Sequence, residues 1–517
     1  MSAVVAGVDM KVRELKHEGG ERIGLPTATE QGRGDAARRR YQEERVAHWD
    51  EVARTFGARE GWGGEYHRRL AQVYGSLIPP GKRVLEIGCG QGDLLASLKP
   101  SKGVGVDFSA EMIERGRARH PEIEFVCADA HGLSLADGLS LVDGFDFIVL
   151  SDLVNDIWDV QEVFRRVRRL SHPATRLVLN FYSRVWELPL GAARRLGLAK
   201  PLRPQNWLTV ADVSVLLALE DFEVIRRSRE VLLPLRVPPL STLSNRYLAK
   251  IFPFNLLALT RVLVARPVGL PEVLIGEDEP TVSVVIPARN EAGNVAGVFA
   301  RTPELGARTE LIFVEGGSTD DTYGVIEREI AAHPERRCLL LRQEGEGKGD
   351  AVRLGFAHAG GDVLAILDGD LTVPPEDLPR FVEVLRSGKG DFANGSRLVY
   401  PLEREAMRHL NIVGNKFFSL AFSWLLGQPI KDTLCGTKVL RRTDYEAIAA
   451  NRAHFGDFDP FGDFDLLFGA AKLNLKIVDV PVRYRERAYG ETNIARWRHG
   501  WLLLRMVAFA ARRIKFV

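Results

Sequence analysis

The chain has 517 residues, of which 45% are hydrophobic and 27% are charged, with 70 Lys and Arg against 68 Asp and Glu. This length exceeds what one hydrophobic core usually serves, so we expect at least two globular domains. A formal net charge of +2 lacks the dense basic surface that nucleic-acid binding requires, so we predict no nucleic-acid partner. Four scattered cysteines exclude a disulfide framework and favour a reduced, cytosolic protein.

The first part of the chain is polar. Residues 1–45 are charged and glycine-bearing and lack the pattern of a secretory signal, which predicts a flexible N-terminal segment. No apolar run approaches the ~20 residues of a membrane-spanning helix. The sequence therefore predicts a cytoplasmic protein, which at most contacts the inner face of the cell membrane.

Two series of strand-like runs follow. From Arg83 to Tyr182 five β-branched runs alternate with helix-like stretches, and a second series of this kind runs from Thr281 to Arg397. This alternation predicts two α/β domains, each built on a largely parallel sheet. Residues 269–280 lose periodicity and gain proline, glycine and acidic residues, as a linker does. We assign one domain to 46–268, a second to 281–493 and a basic C-terminal helix to 494–517.

The first candidate site begins in the sequence VLEIGCGQGDLL, where a strand runs into a loop with glycines at 88, 90 and 92. Glycines allow the backbone to approach a ligand closely. Asp107 ends the next strand, where a carboxylate can accept both ribose hydroxyls, and Asp129 follows the third, where it can meet an adenine amino group. An isolated aspartate is usually a strand-end cap, but these features together favour a cofactor site.

This part of the chain resembles the class I S-adenosylmethionine-dependent methyltransferases, whose first motif is similar to ILEIGCGTG. The resemblance implies a Rossmann-like fold over roughly residues 66–268 and S-adenosyl-L-methionine as cofactor. It implies these cofactor-binding residues: Glu86, Gly88, Gly90, Gly92, Asp107, Phe108, Asp129, Ala130 and Ser151. Positioning dominates methyl transfer, so no base can be assigned. Candidates for the acceptor side are Asp152, Asn155, Asp156, His131 and Tyr182.

An apolar stretch, residues 234–266, closes this domain. We expect a packed core that ends in the strand LTRVLVARP. The alternative is an interfacial patch, in which Arg246, Tyr247 and Lys250 lie beside Ile251, Phe252 and Phe254.

The second candidate site begins in VSVVIPARNEAGNV, where a strand precedes an Asn-Glu pair that opens a helix, whose N-terminal amides favour phosphate. Glu315 ends the next strand before a glycine turn and can hold a ribose or base. Asp368 and Asp370, in AILDGDLTVPPEDL, end a buried strand, where alternate carboxylates can share one cation that bridges a diphosphate. An acidic pair is more often a solvated turn, but the preceding strand and upstream loop favour a metal site.

Residues 281 to about 493 resemble family 2 glycosyltransferases of GT-A fold, and within them the dolichol-phosphate mannosyltransferase-like branch. The resemblance implies inverting transfer from a UDP- or GDP-sugar to a polyprenyl phosphate or related lipid carrier, with Mg²⁺ or Mn²⁺ held by Asp368 and Asp370. The implied donor-site residues are Pro287, Ala288, Asn290, Glu291, Glu315, Lys348, Asp368, Gly369 and Asp370. Two positions depart from the pattern: Gly316 replaces an aspartate, and Thr372 stands where a glutamine often adds a metal ligand.

The acceptor side rests on cations and carboxylates downstream. Arg397, Arg404, Arg408 and Lys438 lie where the lipid-phosphate branch holds its acceptor phosphate, a role that suits arginine; surface salt bridges are the alternative. Asp463 and Asp465 lie where sugar-acceptor relatives place a catalytic base, which a phosphate acceptor does not require. Transfer to a sugar or natural-product hydroxyl, or a non-catalytic scaffold role for one domain, therefore stay open.

Two features end the chain. Arg487, Tyr489, Gly490, Thr492 and Asn493 resemble a mobile loop that closes over the donor diphosphate. Beyond them, Arg498, Arg505 and Arg512 recur every seven residues in a helix that also carries Trp497 and Trp501. Such a helix either lies in a membrane interface, giving peripheral membrane contact, or packs on the domain with its arginines solvated.

Overall fold

The computed structural model describes residues 28–55, 64–133, 144–195, 203, 205–268, 279–400, 409–452, 462–487, 489 and 496–517. Within them, two seven-stranded sheets with helices on both faces follow one another along the chain, as the two strand series predict.

The first sheet has the order β3-β2-β1-β4-β5-β7-β6. Its strands are β1 (Arg83–Ile87), β2 (Lys102–Asp107), β3 (Glu124–Cys127), β4 (Phe147–Ser151), β5 (Arg176–Tyr182), β6 (Phe222–Glu230) and β7 (Thr260–Pro267). The first five strands are parallel and β7 is antiparallel to both its neighbours. From β1 the strand order runs outward in opposite directions, to β2 and β3 on one side and to β4 and β5 on the other, so the loops after β1 and β4 flank a crevice at the carboxyl edge.

The helices of this half cover both faces of the sheet. They are α1 (Ala28–Thr55), α2 (Gly64–Leu77), α3 (Asp93–Ser97), α4 (Ala110–Arg119), α5 (Val160–Arg169), α6 (Glu187–Arg195), α7 (Val210–Leu219) and α8 (Leu240–Arg246), with short 3-10 helices at Arg184–Trp186, Leu248–Lys250 and Phe254–Leu257. Two apolar clusters, one containing Phe164 and Phe181 and the other Tyr74 and Val149, form the core.

The second sheet has the order β10-β9-β8-β11-β13-β12-β14. Its strands are β8 (Thr281–Ala288), β9 (Arg308–Glu315), β10 (Arg337–Arg342), β11 (Val363–Ile366), β12 (Phe392–Ser396), β13 (Lys438–Arg441) and β14 (Ile477–Pro481). Strand β13 is antiparallel to β11 and β12, and the remaining pairs are parallel.

The helices of the second half are α9 (Val295–Arg301), α10 (Thr322–Ala332), α11 (Lys348–His358), α12 (Leu378–Arg386), α13 (His409–Leu426), α14 (Arg442–Ala450), α15 (Asp463–Lys472) and α16 (Arg496–Ala510), which continues as a π-helical turn over Ala511–Lys515; a 3-10 helix spans Pro375–Asp377. Among the described residues, no helix is both long and apolar enough to cross a membrane.

The predicted strands are confirmed, but β6, β13 and β14 escaped prediction. Strand β6 reads FEVIRRSRE, and its charges hide the alternation of a half-buried strand. Strands β13 and β14 are only four and five residues long. These strands pair with neighbours distant in the sequence, so their existence depends on tertiary contacts.

Two further segments differ from their predictions. Residues 28–45, predicted to be flexible, belong to helix α1, whose Arg45 Nε donates to Asp156 Oδ1 at 2.9 Å. This polar helix is stabilised by such tertiary contacts rather than by an apolar stripe. The stretch 234–266, predicted to be packed core, exposes many of its apolar side chains: Phe252 is 74% exposed. Burial there falls mainly on Ala249, Ala258, Leu259 and β7.

The two halves pack through buried polar contacts. Asp391, which precedes β12, accepts from Arg176 Nη2 at 2.7 Å and from Arg266 Nη1 at 3.3 Å. Asn474, before β14, donates from Nδ2 to Leu77 O at 2.8 Å, and its own carbonyl accepts from Arg176 Nε. Since unpaired buried charges are costly, these contacts favour one relative arrangement of the halves.

Candidate active sites

The glycine loop after β1 is built around Asp107. Gly88, Gly90 and Gly92 all have positive φ, and a Cβ atom at Gly90 would meet nothing within 4 Å, so this side of the loop is open to a ligand. Asp107 Oδ2 accepts from Gly90 N at 2.8 Å and Oδ1 from Ser109 N at 2.9 Å. Burial raises the pKa of Asp107, and these backbone donors oppose that rise. The carboxylate is thus fixed at the carboxyl edge of β2, beside the loop.

The other predicted cofactor residues lie around this loop. Glu86 is buried in β1, Phe108 directly follows Asp107, and Ser151 ends β4, where its Oγ donates to Asn180 Oδ1 at 3.1 Å. Asp129 and Ala130 follow β3. The strand ends therefore bring the set together at one edge of the sheet, as the spacing predicts.

Helix α1 reaches into this site, which the sequence did not indicate. Gln42 Nε2 donates to Asp129 Oδ2 at 2.7 Å, so the carboxylate assigned to the adenine amino group already has a side-chain donor. His131 donates from N and Nδ1 to Asp129 Oδ1, each at 2.7 Å. Burial alone would raise the pKa of Asp129, but the hydrogen bonds from His131 lower it. Asp50, also from α1, accepts from Ser109 Oγ.

A buried polar cluster lies where β4 and β5 end. Asp152 has a positive φ of 57°, and its Oδ1 accepts from Tyr66 Oη and from Asn180 Nδ2, both at 2.6 Å. Asn180 Oδ1 also accepts from Tyr74 Oη at 2.7 Å. Strained backbone at a non-glycine residue is typical of functional sites. The sequence motifs indicate Asp152 but not Tyr66, Tyr74 or Asn180; the one available signal is the polar Asn180 inside the apolar strand RLVLNFY.

The other candidates for the acceptor side make hydrogen bonds within the fold. Asn155 is fully buried and bonds to Asn206 O and Tyr182 N. Asp156 accepts from Arg45 and from Trp49 Nε1, both in α1. His131 is buried and its Nε2 accepts from Asp159 N at 3.1 Å, which fixes its Nδ1–H toward Asp129. Asn155 and His131 therefore stabilise loops rather than face an acceptor.

The loop after β8 faces the turn after β9. Asn290, with φ of 57°, accepts from Thr319 N through its side chain at 2.7 Å, and its own N–H donates to Ser318 Oγ. Glu315 ends β9, is buried, and accepts from Ser318 N. Gly316 N donates to Ala288 O at 2.9 Å, and a Cβ atom at Gly369 would lie 3.0 Å from Pro287 O. The predicted donor residues of β8, β9 and β11 therefore meet at one edge of the sheet.

Asp368 and Asp370 each carry a cationic partner. Lys348 Nζ forms an ion pair with Asp368, and Arg487 Nη2 donates to Asp370 Oδ2 at 2.6 Å. Burial would raise the pKa of Asp368, but Lys348 lowers it. Thr372, at the departure from the family pattern, donates from Oγ1 to Asp370 Oδ1 at 2.8 Å, so it orients that carboxylate. A Cβ atom at Gly436 would overlap both Lys348 Nζ and Asp368, which requires glycine there.

This carboxylate pair fits a divalent cation. Each of the two carboxylates pairs with a side-chain cation, so each attracts positive charge that a metal could supply instead. Within the described ranges, no group of three or more His, Cys, Asp or Glu side chains is placed to hold a metal ion. Oxygen atoms from a bound diphosphate would therefore have to complete the coordination.

Glu291 is the third acidic group of this pocket. It is buried, and its Oε2 accepts from Asn294 Nδ2 at 2.6 Å while Oε1 lies 3.4 Å from Arg487 Nη1. Burial raises the pKa of Glu291 to about 7, with Asp370 and Asp368 contributing in the same direction. Arg487 thus bridges two carboxylates, and Tyr489 Oη next to it donates to Asp320 Oδ2 at 3.2 Å. Of the segment predicted to close over the donor, Arg487 and Tyr489 therefore lie against the donor pocket.

The predicted acceptor cations are less available than expected. Arg397 forms a two-point pair with fully buried Asp432, at 2.7 Å from Nε and 2.9 Å from Nη2. Burial opposes the charged form, but Asp432 raises the pKa of Arg397. Lys438 is fully buried and donates to Cys435 O. Asp465, a candidate base, accepts from Arg452 Nε at 2.8 Å.

Several predicted residues lie outside what the structure describes. These are Arg404, Arg408, Gly490, Thr492 and Asn493, together with the side chains of Asp463, Trp497 and Arg498. Residues 1–27 and most of the predicted linker, 269–278, fall there as well.

A cavity of about 320 Å³ lies beside the segment that follows Asp370 along the chain. It is lined by Pro374, Glu376, Asp377, Arg380, Tyr400, Arg483 and Arg485. Arg485 N donates to Thr372 O at 2.9 Å, which ties this wall to the Asp370 loop. Glu376 pairs with Arg301 and Asp377 with Arg380, whereas no described carboxylate lies within salt-bridge distance of Arg483 or Arg485. The cavity therefore offers two arginines to an anion.

The two sheets and their pockets correspond to two families of α/β domain. The chain matches the family "Methyltransferase domain" over residues 84–174 and "Glycosyl transferase family 2" over residues 283–448. It belongs to glycosyltransferase family 2 through its second half, and its first half is a methyltransferase domain. The predicted fusion, its fold class and its two enzyme classes are thereby confirmed.

Three curated relatives illustrate the second half. The chain is 30% identical to the glycosyltransferase AglJ of Haloferax volcanii over 224 residues, which cover 43% of this chain and 69% of that protein. It is 30% identical to the low-salt glycan biosynthesis hexosyltransferase Agl6 of the same organism, covering 46% of this chain and 56% of the relative. It is also 30% identical to the dolichol-phosphate mannosyltransferase of Pyrococcus furiosus, covering 41% and 59%. The chain thus spans little more than half the length of two of them.

Proposed function

We propose that this protein transfers a sugar from a UDP- or GDP-sugar to a polyprenyl phosphate or related lipid carrier, with inversion, and methylates a sugar or lipid-linked product. The observation that carries the first activity is the pair Asp368 and Asp370 at the end of β11, each with a cation in place. The similarity to the Pyrococcus relative, a dolichol-phosphate mannosyltransferase, supports the lipid-phosphate acceptor.

In this proposal the donor pocket holds the diphosphate of the nucleotide sugar. Asp368 and Asp370 would hold Mg²⁺ or Mn²⁺, which supplies positive charge to the leaving diphosphate. Asn290, Glu291 and Glu315 are the candidate contacts to the nucleoside. Arg487 pairs with Asp370 in the structure, so a metal would release its guanidinium, which can then bind the diphosphate.

The acceptor phosphate requires cations that are not already neutralised. Arg483 and Arg485 meet this condition better than Arg397, whose charge Asp432 balances. A phosphate anion needs no base, which agrees with Asp465 being held by Arg452. We therefore prefer a phosphate acceptor to a sugar or natural-product hydroxyl.

S-adenosyl-L-methionine would occupy the crevice between the loops after β1 and β4. The open side of Gly90 and the fixed Asp107 carboxylate fit the methionine and ribose portions. When bound, the cofactor supplies the electrophilic methyl group. Tyr66, Asp152 and Asn180 would border the methyl acceptor, and Asp152 is the group best placed to accept a proton from it.

The decisive experiment incubates purified protein with UDP- and GDP-sugars, a short polyprenyl phosphate and S-adenosyl-L-methionine, and reads product masses. We expect a sugar increment that requires divalent metal and falls at least about a thousandfold in Asp368→Ala. Asp321→Ala, at an exposed carboxylate of the same domain, serves as the matched control. Transfer that survives metal chelation or the Asp368→Ala change would refute the metal-dependent mechanism.

A contact with the inner face of the cell membrane follows from a lipid-linked acceptor. It is part of the proposal, since the acceptor phosphate would stay at the bilayer surface while the catalytic domains remain on the cytoplasmic side.

A further inference from the structure

Exposed apolar side chains concentrate in one region of the molecule. In the described residues most large exposed hydrophobics fall in 185–188, 235–257, 417–424 and 501–504. The most exposed are Leu188, Phe252, Leu420 and Trp501 at 83%, 74%, 73% and 66%. Scattered exposed hydrophobics are normal, but a contiguous patch marks an interaction surface.

Hydrogen bonds and ring contacts join these segments across the two domains. Trp424 of α13 donates from Nε1 to Lys250 O at 3.3 Å, and its ring lies 5.7 Å from that of Phe516. The Phe516 ring lies 5.2 Å from Tyr247, which follows α8. Trp186, beside Leu188, donates to Leu257 O at 2.9 Å. The methyltransferase segment 235–257, helix α13 and the C-terminal helix are therefore neighbours.

The two helices present apolar stripes on their outer sides. Phe417, Leu420 and Trp424 follow the i, i+3, i+7 spacing of one helix face, whereas Phe418 and Phe422 are buried in the domain core. On α16, Trp501 and Leu504 are exposed, whereas Leu503 and Met506 are buried in the same core. Each helix thus buries one apolar face and leaves large apolar side chains of a second face exposed.

Charge distinguishes this surface from the rest of the protein. Residues 231–257, 409–430 and 496–517 contain ten Lys and Arg and no Asp or Glu, in a chain whose acidic and basic residues are otherwise nearly balanced, and the adjoining segment 185–188 adds one acidic residue, Glu187. Of the ten cations, Lys250 is paired with Glu230. Arg236, Arg246, Arg505, Arg512 and Arg513 are exposed around the apolar residues. No described carboxylate lies within salt-bridge distance of Arg226 or Lys515, and Lys515 Nζ lies 5.2 Å from the Trp424 ring. The partner must therefore be apolar and negatively charged.

We propose that the methyltransferase segment 235–257, together with α13 and α16, docks on an anionic phospholipid bilayer. The inference deepens the proposed function, because it assigns membrane contact to both domains rather than to the glycosyltransferase half alone. Apolar side chains enter the headgroup boundary and flanking cations attract the anionic lipids. A second copy of the chain fits poorly, since two such basic surfaces repel each other.

Vesicle co-sedimentation of the full chain tests the proposal without donor, acceptor or cofactor. We expect binding to vesicles of phosphatidylcholine with phosphatidylglycerol, weak binding to phosphatidylcholine alone, and loss of binding in high salt. Because no glycosyl acceptor is present, failure of this test is distinct from failure of the proposed glycosyl transfer.

The contribution of the methyltransferase half is tested by Phe252→Glu, which should weaken vesicle partition roughly tenfold. Leu219→Glu, at a residue of α7 that is 60% exposed outside this surface, is the matched control and should leave partition unchanged. Arg236→Gln, an exposed position with little risk to folding, should lower partition roughly fivefold.

Three outcomes would overturn the proposal. Equal loss in Leu219→Glu would mean that binding is nonspecific. Loss in Leu420→Glu without loss in Phe252→Glu or Arg236→Gln would restrict docking to the glycosyltransferase half. A wild-type dimer in light scattering that Phe252→Glu converts to a monomer would assign the surface to self-association.

Discussion

The carboxylate assigned to the ribose in the first pocket and the two assigned to the metal in the second are held by different means. In the methyltransferase half, Asp107 is fixed by the backbone N–H groups of Gly90 and Ser109. In the glycosyltransferase half, Asp368 and Asp370 are balanced by the side chains of Lys348 and Arg487. A backbone-held carboxylate is already oriented for a neutral hydroxyl, whereas a carboxylate paired with a side-chain cation can exchange that cation for a metal. Asp107 is therefore oriented in advance, whereas Asp368 and Asp370 require side chains to move before a metal can bind.

The largest effect is expected from the buried ion pairs between the two halves. They bear on whether the two pockets belong to one cooperative unit. Asp391→Ala leaves Arg176 and Arg266 buried between the domains without their shared carboxylate, which should cost about 3–5 kcal/mol of unfolding free energy. Calorimetry would show the loss. Asp377→Ala, which removes a surface pair with Arg380, should change stability by less than about 1 kcal/mol. Equal effects would mean that the interdomain pairs do not stabilise the fold.

A second prediction concerns Asp107, the carboxylate held by backbone donors. Asp107→Asn should weaken S-adenosyl-L-methionine binding about 10–100-fold, because the amide cannot accept from both backbone donors and both ribose hydroxyls. Isothermal titration of the full chain measures this affinity, and Mn²⁺ binding to the second pocket provides the control. An Asn variant that binds the cofactor normally would contradict the ribose assignment.

The third prediction concerns Asp370, whose side-chain cation can be exchanged for a metal. Arg487→Gln removes the cation that competes for Asp370, so Mn²⁺ should bind the donor-free protein about fivefold more tightly while glycosyl transfer declines. Electron paramagnetic resonance of free Mn²⁺ reports the affinity. Arg485→Gln, at an exposed arginine nearby, should leave metal affinity nearly unchanged. Weaker metal binding in Arg487→Gln would show that Arg487 supports the metal site instead.

The smallest effect is a pH dependence in the same pocket. Glu291 has a pKa of about 7 in the folded protein, against 4.5 for an ordinary glutamate, because it is buried. Between these values the folded state keeps a proton that the unfolded state releases, so this group makes stability fall as pH rises from about 4.5 to about 7. In metal-free protein, Glu291→Gln should flatten that part of the melting-temperature profile, whereas Glu310→Gln should not. If the pH profile of the melting temperature kept its slope in Glu291→Gln, the raised pKa would not belong to Glu291.

Much of the cofactor chemistry was predictable because it is local. Parallel strands end at one edge of a sheet, so residues that directly follow apolar runs, such as Asp107, Asp129, Glu315 and Asp368, lie near one another. Residues that reach a pocket from elsewhere were not predictable. Gln42 lies in a polar helix and Tyr66 in the next helix, whereas Arg487, which contacts Asp370, was indicated by the family resemblance rather than by its spacing along the chain.

The sequence alone determined the two α/β domains, their order and the carboxylates of both donor pockets, since these follow from short-range alternation and motifs. Only the tertiary structure decided which polar and charged side chains remain available to a ligand. Asp432 neutralises Arg397, Arg452 forms an ion pair with Asp465, and the Asn155 side chain makes hydrogen bonds within the fold. The tertiary structure also shows that the apolar stretch 234–266, expected to be core, exposes many side chains and contacts the other domain. The physical reason is that availability depends on what else packs nearby, and spacing along the chain does not record those neighbours.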